Sequence, residues 1–180
     1  NIEVVLTDGA QPIGRGIGPV LEARDVMDVL AQRPQAPADL REKSIQLAGR
    51  VLEADPALRG GRGESRAREL LASGAAAHAM DAIIAAQGPS PIDEGSGNLV
   101  HEVCARNAGT VMAMDCLQIA SIARRAGAPT NPGAGIGLVR KGGDRVRAGE
   151  PLYRIHGSEP SDFRFAVEAA TEANGIRIET

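Results

Sequence analysis

The chain has 180 residues, with 20 Lys and Arg against 23 Asp and Glu and a formal net charge of -3. This balance lacks the excess of basic residues that is typical of proteins that bind nucleic acid or an anionic membrane. Hydrophobic residues make up 43% of the sequence, which is ordinary for a globular protein with a packed core. One Tyr, two Phe and no Trp are too few aromatic residues for a base-stacking surface.

The cysteine pattern and the absence of targeting segments place the chain in the cytoplasm. Cys104 and Cys116 are too few for a disulfide framework and too far apart for a paired-Cys zinc site, so we expect reduced thiols. No apolar stretch approaches the roughly 20 residues that span a bilayer, and no signal peptide is visible. The first residue is Asn1 and lies in an apolar run, so we expect a piece of a longer protein.

The first predicted elements are a strand and a helix. Residues 2–7 form a short β-branched run, which predicts a strand of a larger sheet. Pro19 suits the first turn of a helix, and apolar residues follow it at helical spacing. The expected apolar face of this helix comprises Val20, Ala23, Met27 and Leu30.

Three more helices are predicted before residue 88. The first starts near Asp39, which forms a capping-box pair with Glu42. The other two, at 64–73 and Ala75–Gln87, are each followed by a glycine at the usual C-terminal position. The expected apolar face of the helix at Asp39 comprises Leu40, Leu47, Ala48, Val51 and Leu52.

Residues 88–98 are rich in Gly, Pro and Ser and predict a boundary, which gives domains at 1–98 and 99–180. Beyond it, strands are predicted at 100–106 and 110–114 around a turn at 107–109. The later predicted elements are a helix capped by Asp115 and Gln118 and ended by Gly127, strands at 136–140, 145–147 and 152–156, a helix at 162–173, and a strand at Ile176–Glu179. The whole pattern predicts an α+β fold.

Glycines 14, 16 and 18 lead from the first strand into the first helix. Their spacing differs from the dinucleotide fingerprint, and no P-loop lysine follows. Three interpretations stay open. The glycines could form a tight turn that needs small residues, or their amides could meet an anion at the positive end of the helix dipole. Alternatively, exposed carbonyl oxygens together with Asp25 could hold a hard cation.

The remaining polar residues offer no recognisable catalytic motif. His78, His101 and His156 have no acidic or Cys partner at ligand or triad spacing, so we interpret them as structural or solvated. Residues 141–152 resemble the turn of biotinyl and lipoyl carrier domains. The only lysines are Lys43 and Lys141, and neither sits in the tip motif that such carriers modify. That similarity therefore concerns architecture at most.

Four motifs in chain order resemble the thymidine phosphorylase family. They are TDGAQPIGRGIGPVLEARDV at 7–26, RRAGAP at 124–129, GAGI at 133–136 and GEPLYRIH at 149–156. The resemblance is greatest to the branch that contains archaeal AMP phosphorylases and the bacterial type 2 thymidine phosphorylases. It covers essentially the whole chain and corresponds to the C-terminal part of such an enzyme.

The resemblance implies a fold for each half. Residues 1–98 would hold a remnant strand and the helical segment of the central α/β domain, which binds phosphate and nucleoside. Residues 99–180 would form the family's α/β hammerhead-like C-terminal domain. Family members are homodimers or larger assemblies, so we expect the same of the full-length protein.

The resemblance also implies an activity. The full-length protein would be a pentosyltransferase of pyrimidine metabolism that converts thymidine and phosphate to thymine and 2-deoxyribose 1-phosphate. The alternatives are an AMP (nucleoside 5'-monophosphate) phosphorylase or, from another class, a non-catalytic structural or assembly domain. The family's catalytic residues precede the motif at 7–26, so we expect no catalytic residue in this chain and no activity from it alone.

One metal site follows from the resemblance. Pyrimidine nucleoside phosphorylases hold a potassium ion through two backbone carbonyls and one carboxylate, beside the phosphate loop. The matching positions are Ile13, Gly16 and Asp25, where Gly16 replaces the usual Ala and Asp25 the usual Glu. We expect no organic cofactor.

Overall fold

The computed structural model describes residues 4–88 and 95–180. The described strands are β1 (Gly16–Ile17), β2 (Leu99–Cys104), β3 (Gly109–Met114), β4 (Gly135–Leu138), β5 (Arg145–Val146), β6 (Pro151–Gly157) and β7 (Ile176–Glu179). The helices are α1 (Pro19–Leu30), α2 (Ala38–Leu52), α3 (Arg62–Ala72), α4 (Ala75–Gln87), α5 (Cys116–Arg125) and α6 (Pro160–Glu172), with a short 3-10 helix at Pro56–Leu58. The predicted α+β fold class is confirmed.

The described residues form two compact units. The first, which we call the sheet unit, comprises residues 4–22 and 95–180. The second, the helical unit, comprises residues 23–88. The unit boundary thus falls within α1, and residues 4–22 cluster with the C-terminal half of the chain. The predicted domains at 1–98 and 99–180 refer to a longer protein and stay a prediction.

The start of the chain differs from its sequence-based prediction. Residues 4–7 are not in a strand, and residues 1–3 lie outside the described residues. A strand needs a neighbour to bond its backbone, and none of the described strands pairs with this segment. Val4 and Leu6 are 78% and 94% exposed, so these side chains also lack the burial that a core strand provides.

The sheet unit contains two antiparallel sheets. One has the strand order β1-β4-β6-β2, and the other has the order β5-β3-β7. The strands predicted at 100–106 and 110–114 are therefore present as β2 and β3, but the turn between them does not join a hairpin. Instead, β2 pairs with β6, and β3 pairs with β5 and β7. All of these partners lie much later in the chain.

The core of the sheet unit lies where α5 and α6 pack with the sheets. Its fully buried side chains include Ile119, Ile122, Tyr153 and Ile155. The Tyr153 hydroxyl donates a hydrogen bond to the Asn174 carbonyl at 3.0 Å, which satisfies the one polar atom of this side chain. The predicted start of α5 is confirmed, because the Asp115 carboxylate caps it by accepting from the Gln118 N–H at 2.9 Å.

The helical unit is built around the contact between α2 and α3. A Cβ atom added to Gly63 would lie 2.1 Å from the Gly49 carbonyl oxygen, so the two backbones meet where only glycine fits. The small core beside this contact contains Val29, Ile45, Ala67 and Leu71.

The predicted helix faces were only partly correct: Leu30 of α1 and Leu40 and Leu52 of α2 pack against the small core, whereas other predicted residues do not. In α2 the buried residues are Ile45 and Gly49, four apart on one face, whereas Leu47 and Val51 are 44% and 75% exposed. In α1 the buried apolar residues are Leu21 and Val29, not Met27 or Ala23. Hydrophobicity alone did not predict the buried face of α2, because α2 contacts α3 through Gly49, its smallest residue.

The predicted capping box of α2 was also wrong. Pro37 occupies the N-cap position and has no side-chain oxygen to offer. The Asp39 carboxylate accepts from the N–H of Leu40 at 2.9 Å, and Glu42 forms ion pairs with Arg41 and Arg68.

The helices predicted at 64–73 and Ala75–Gln87 are confirmed as α3 and α4, and α4 has the predicted bounds. No helix in the described part of the chain is both long and apolar enough to span a bilayer.

Candidate functional site

The glycine-rich loop that leads into α1 is fixed to the four-stranded sheet. Through β1, Gly16 and Ile17 pair with Gly137 and Ile136 of β4. Just before β1, the Arg15 carbonyl accepts from the Leu138 N–H at 2.7 Å, and the Arg15 guanidinium donates to the Val139 carbonyl at 2.9 Å. The loop is thereby held by residues more than 100 positions later in the chain.

A lysine on the turn after β4 secures the earlier part of the loop. The Lys141 ammonium donates to the carbonyl oxygens of Pro12 and Gly14, the latter at 2.8 Å. The neighbouring Gly142 N–H donates to the Gln11 side-chain oxygen at 2.9 Å. The turn itself is closed by Asp144, whose carboxylate accepts from the Lys141 N–H at 2.9 Å. One positive charge thus draws two loop carbonyls together.

The glycines of the loop have a steric purpose. A Cβ atom at Gly16 would lie 2.4 Å from the Leu21 carbonyl, so any side chain there would collide with the first turn of α1. Gly14 has φ of +69° and Gly18 has φ of +129°, conformations that L side chains rarely adopt. These contacts support the tight-turn interpretation.

The amides at the start of α1 are engaged within the chain. The Gly18 N–H donates to the Glu22 carboxylate at 2.9 Å, and the Val20 N–H donates to the Pro132 carbonyl at 3.1 Å. Pro19, between them, has no N–H to offer. The carboxylate of Glu22 therefore occupies the position that an external anion would take at this helix N-terminus.

The three residues expected to hold potassium lie in two different units. Ile13, which is 39% exposed, and Gly16 of β1 belong to the sheet unit. Asp25, which is half-buried on α1, belongs to the helical unit. Their oxygen donors suit a hard cation, but the Lys141 ammonium already binds the carbonyls of both neighbours of Ile13 and opposes a second positive charge there. The potassium site stays a prediction.

The histidines, the cysteines and Tyr153 form no recognisable catalytic or metal-binding arrangement in the described part of the chain. His78 and His101 are exposed, and His156 is half-buried on β6. Cys104 and Cys116 form no disulfide. Burial raises the pKa of the Tyr153 hydroxyl, which stays protonated as a core hydrogen-bond donor. Among residues 4–88 and 95–180, no group of three or more His, Cys, Asp or Glu side chains is placed to hold a metal ion.

Sequence reasoning missed a basic pocket of about 660 Å³ in the sheet unit. Arg140, Arg145 and Arg147 line it together with Glu150. The alternation of Arg145 and Arg147 about an apolar residue was the available signal, because residues two apart in a strand share one face.

The comparisons with known proteins agree with this fold. Residues 110–177 match the family described as "Pyrimidine nucleoside phosphorylase C-terminal domain". The chain is 60% identical over 179 residues to a protein of Bradyrhizobium sp. (strain ORS 278) that is named "Putative thymidine phosphorylase". Proteins of the same name from Rhodopseudomonas palustris (strain ATCC BAA-98 / CGA009) and Albidiferax ferrireducens are 58% and 53% identical over 178 and 181 residues.

Each of these matches covers 99% of this chain but 35% of the relative, so the chain spans about a third of the length of the curated relatives it matches. The fold is thus that of a protein with a phosphorylase C-terminal domain. Residues 110–177 match the C-terminal domain of pyrimidine nucleoside phosphorylases, and the resemblance found in the motifs is confirmed.

Proposed function

We propose that this chain is the C-terminal portion of a thymidine phosphorylase. The complete protein would transfer the 2-deoxyribosyl group of thymidine to inorganic phosphate, which releases thymine and forms 2-deoxyribose 1-phosphate. The observation that carries the proposal is the match to curated relatives over nearly the whole chain, together with the phosphorylase C-terminal domain at 110–177. We further propose a cytoplasmic enzyme of pyrimidine metabolism that is a homodimer or a larger assembly.

Phosphorolysis needs a cradle for phosphate, contacts that hold the base and a proton donor for the departing ring nitrogen. We propose that these groups lie in the part of the complete protein outside this chain, and we assign no residue here to catalysis. The role proposed for this chain is to hold the glycine-rich loop in one position. Lys141 and Gln11 do so through hydrogen bonds between the loop and the turn after β4.

We also propose that the loop contributes to a potassium site in the complete protein, through the carbonyls of Ile13 and Gly16 and the carboxylate of Asp25. Oxygen donors of this kind suit potassium, and a bound ion would fix the loop by charge rather than take part in proton transfer. Replacing potassium chloride with sodium chloride should lower the melting temperature of the complete protein. The Asp25→Asn variant should lose that difference, and an equal response in the variant would remove Asp25 from the site.

The substrate is tested with the complete protein, offered thymidine, uridine, AMP and CMP in parallel, with and without inorganic phosphate. We expect phosphate-dependent release of thymine from thymidine and little release from the monophosphates. Release confined to AMP and CMP would reassign the protein to the nucleoside 5'-monophosphate phosphorylases. No release from any of the four would overturn the proposed activity and favour a structural or assembly role.

A further inference from the structure

The basic pocket of the sheet unit has no part in the proposed function. Its volume of about 660 Å³ lies within the range of small-molecule pockets. Three arginines, Arg140, Arg145 and Arg147, line it together with Glu150.

Two of the arginines lie on or next to β5. Val146 of β5 is 5% exposed and packs into the core, whereas Arg145 of β5 and Arg147, which directly follows the strand, are both exposed. β5 is held in place by β3, with Arg145 opposite Thr110. Arg145 therefore projects from a paired strand, and Arg147 follows that strand in a turn, where its carbonyl accepts from the Glu150 N–H at 3.1 Å.

The charge of the pocket is only partly balanced. The Glu150 carboxylate accepts from the Arg140 guanidinium at 3.1 Å and from the Arg147 N–H at 3.2 Å, so Arg140 is already paired. Thr180 also lines the pocket. The side chains of Arg145 and Arg147 form no ion pair or hydrogen bond with any residue in the described ranges 4–88 and 95–180.

We propose that this pocket binds the phosphate group of a small anion, either inorganic phosphate or a phosphomonoester. Guanidinium groups match the oxygens of a phosphate in geometry and charge, and two of them lining one pocket supply several donors to one ligand. A concave pocket on a chain with a net charge of -3 favours a small anion over a nucleic acid backbone. The proposal does not depend on thymidine phosphorolysis, because it involves neither the glycine-rich loop nor the residues expected outside this chain.

The test uses the 180-residue chain labelled with 15N and titrated with inorganic phosphate, ribose 5-phosphate and ribose at low ionic strength. We expect both phosphates to shift the amide resonances of residues 145–147 in a saturable way, and ribose to have no effect. Equal affinities would assign the recognition to the phosphate group alone, whereas tighter binding of ribose 5-phosphate would show that the sugar also contributes. Equal shifts with ribose, or none with either phosphate, would overturn the proposal.

Three variants distinguish binding in the pocket from a general effect of the protein's positive charges. Arg145→Gln combined with Arg147→Gln should weaken phosphate binding by at least about tenfold, since each lost charged hydrogen bond is worth more than the energy of a tenfold change. Arg145→Gln alone is compared with the control Arg164→Gln on α6, which removes the same single charge from a side chain that is 69% exposed and outside the pocket. Unchanged phosphate affinity in the double variant, with its circular dichroism spectrum intact, would overturn the proposal.

Discussion

The sheet unit and the helical unit bury their apolar residues to very different extents. In the sheet unit, Ile119, Ile122, Tyr153 and Ile155 are fully buried within a large cluster. In the helical unit the described core consists of four residues, namely Val29, Ile45, Ala67 and Leu71. Because stabilisation by apolar burial grows with the area removed from water, most of it in this chain lies in the sheet unit.

The helical unit correspondingly keeps much apolar surface exposed. α4 has no buried residue, and its Ile83 and Ile84 are 51% and 45% exposed. An apolar groove of about 440 Å³ follows α2 and α3, and Val51 on its edge is 75% exposed. Regular helices alone therefore do not make a large core, and we expect the unit that buries more apolar side chains to be the more stable one.

The largest expected effect is the loss of a fully buried side chain from the sheet unit. Ile119→Ala should lower the free energy of unfolding by about 3–4 kcal/mol, through lost burial and a residual cavity. Ile83→Ala on exposed α4 should change it by less than about 0.5 kcal/mol. Urea unfolding followed by far-ultraviolet circular dichroism reports on both units, and the fluorescence of Tyr153, the only tyrosine in a chain without tryptophan, reports on the sheet unit. Similar losses in the two variants would contradict the comparison.

The next effect is at the contact of α2 with α3. Gly63→Ala would place a methyl group 2.1 Å from the Gly49 carbonyl and should destabilise the helical unit by about 2 kcal/mol. Gly60→Ala meets open space but carries a φ of +78°, so its cost should be about 1 kcal/mol. Thermal unfolding monitored by far-ultraviolet circular dichroism compares the two. A Gly63→Ala variant as stable as the unaltered chain would show that the helices can separate without cost.

A smaller and more local effect is expected at the glycine-rich loop. Lys141→Met removes the ammonium that binds the carbonyls of Pro12 and Gly14, with an expected cost of about 1–3 kcal/mol. Amide hydrogen exchange across residues 11–17 should accelerate, because the loop loses one of its attachments to the rest of the sheet unit. Lys43→Met, a change at the other lysine, lies in the helical unit and should leave the loop protected. Equal exchange in both variants would mean that Lys141 does not hold the loop.

The smallest effect is the pH dependence of an exposed ion pair in the helical unit. The Arg68 guanidinium, which donates to the Glu42 carboxylate at 2.7 Å, lowers the pKa of Glu42 below its usual 4.5. A lowered folded-state pKa means that the pair stabilises the fold fully above pH 4.5, and that this contribution is lost as the pH falls through the folded-state value. Solvent screens the pair, so the contribution is small.

Glu42→Gln should therefore melt slightly below the unaltered chain at pH 7, and the two melting temperatures should converge under acidic conditions. A difference that persists or grows as Glu42 becomes protonated would assign the effect of the substitution to something other than this charge.

Sequence reasoning succeeded where structure is set by neighbouring residues. The bounds of α4 and β7 were predicted correctly. Gly74 and Gly88 flank α4, and the alternating Ile176 and Ile178 indicate β7. The cap of α5 by Asp115 followed from the same local logic.

The failures share a dependence on distant partners. The buried face of α2 is set by a backbone contact with Gly63 of α3, which no hydrophobic period within α2 records. Strand pairing of β2 with β6 likewise joins residues about 50 positions apart. At the candidate site, the glycine motif was visible in the sequence, but its attachment to Lys141 spans 127 positions and became apparent only in three dimensions.

We propose that this chain is part of a nucleoside phosphorylase and that the reacting groups lie outside it. The most direct test compares thymine release from thymidine and phosphate by the complete protein with that by the 180-residue chain, at equal molar concentration and with both shown to be folded. We predict turnover by the complete protein and none by this chain. Turnover by the 180-residue chain would contradict the placement of the reacting groups, and an inactive complete protein would contradict the proposed activity itself.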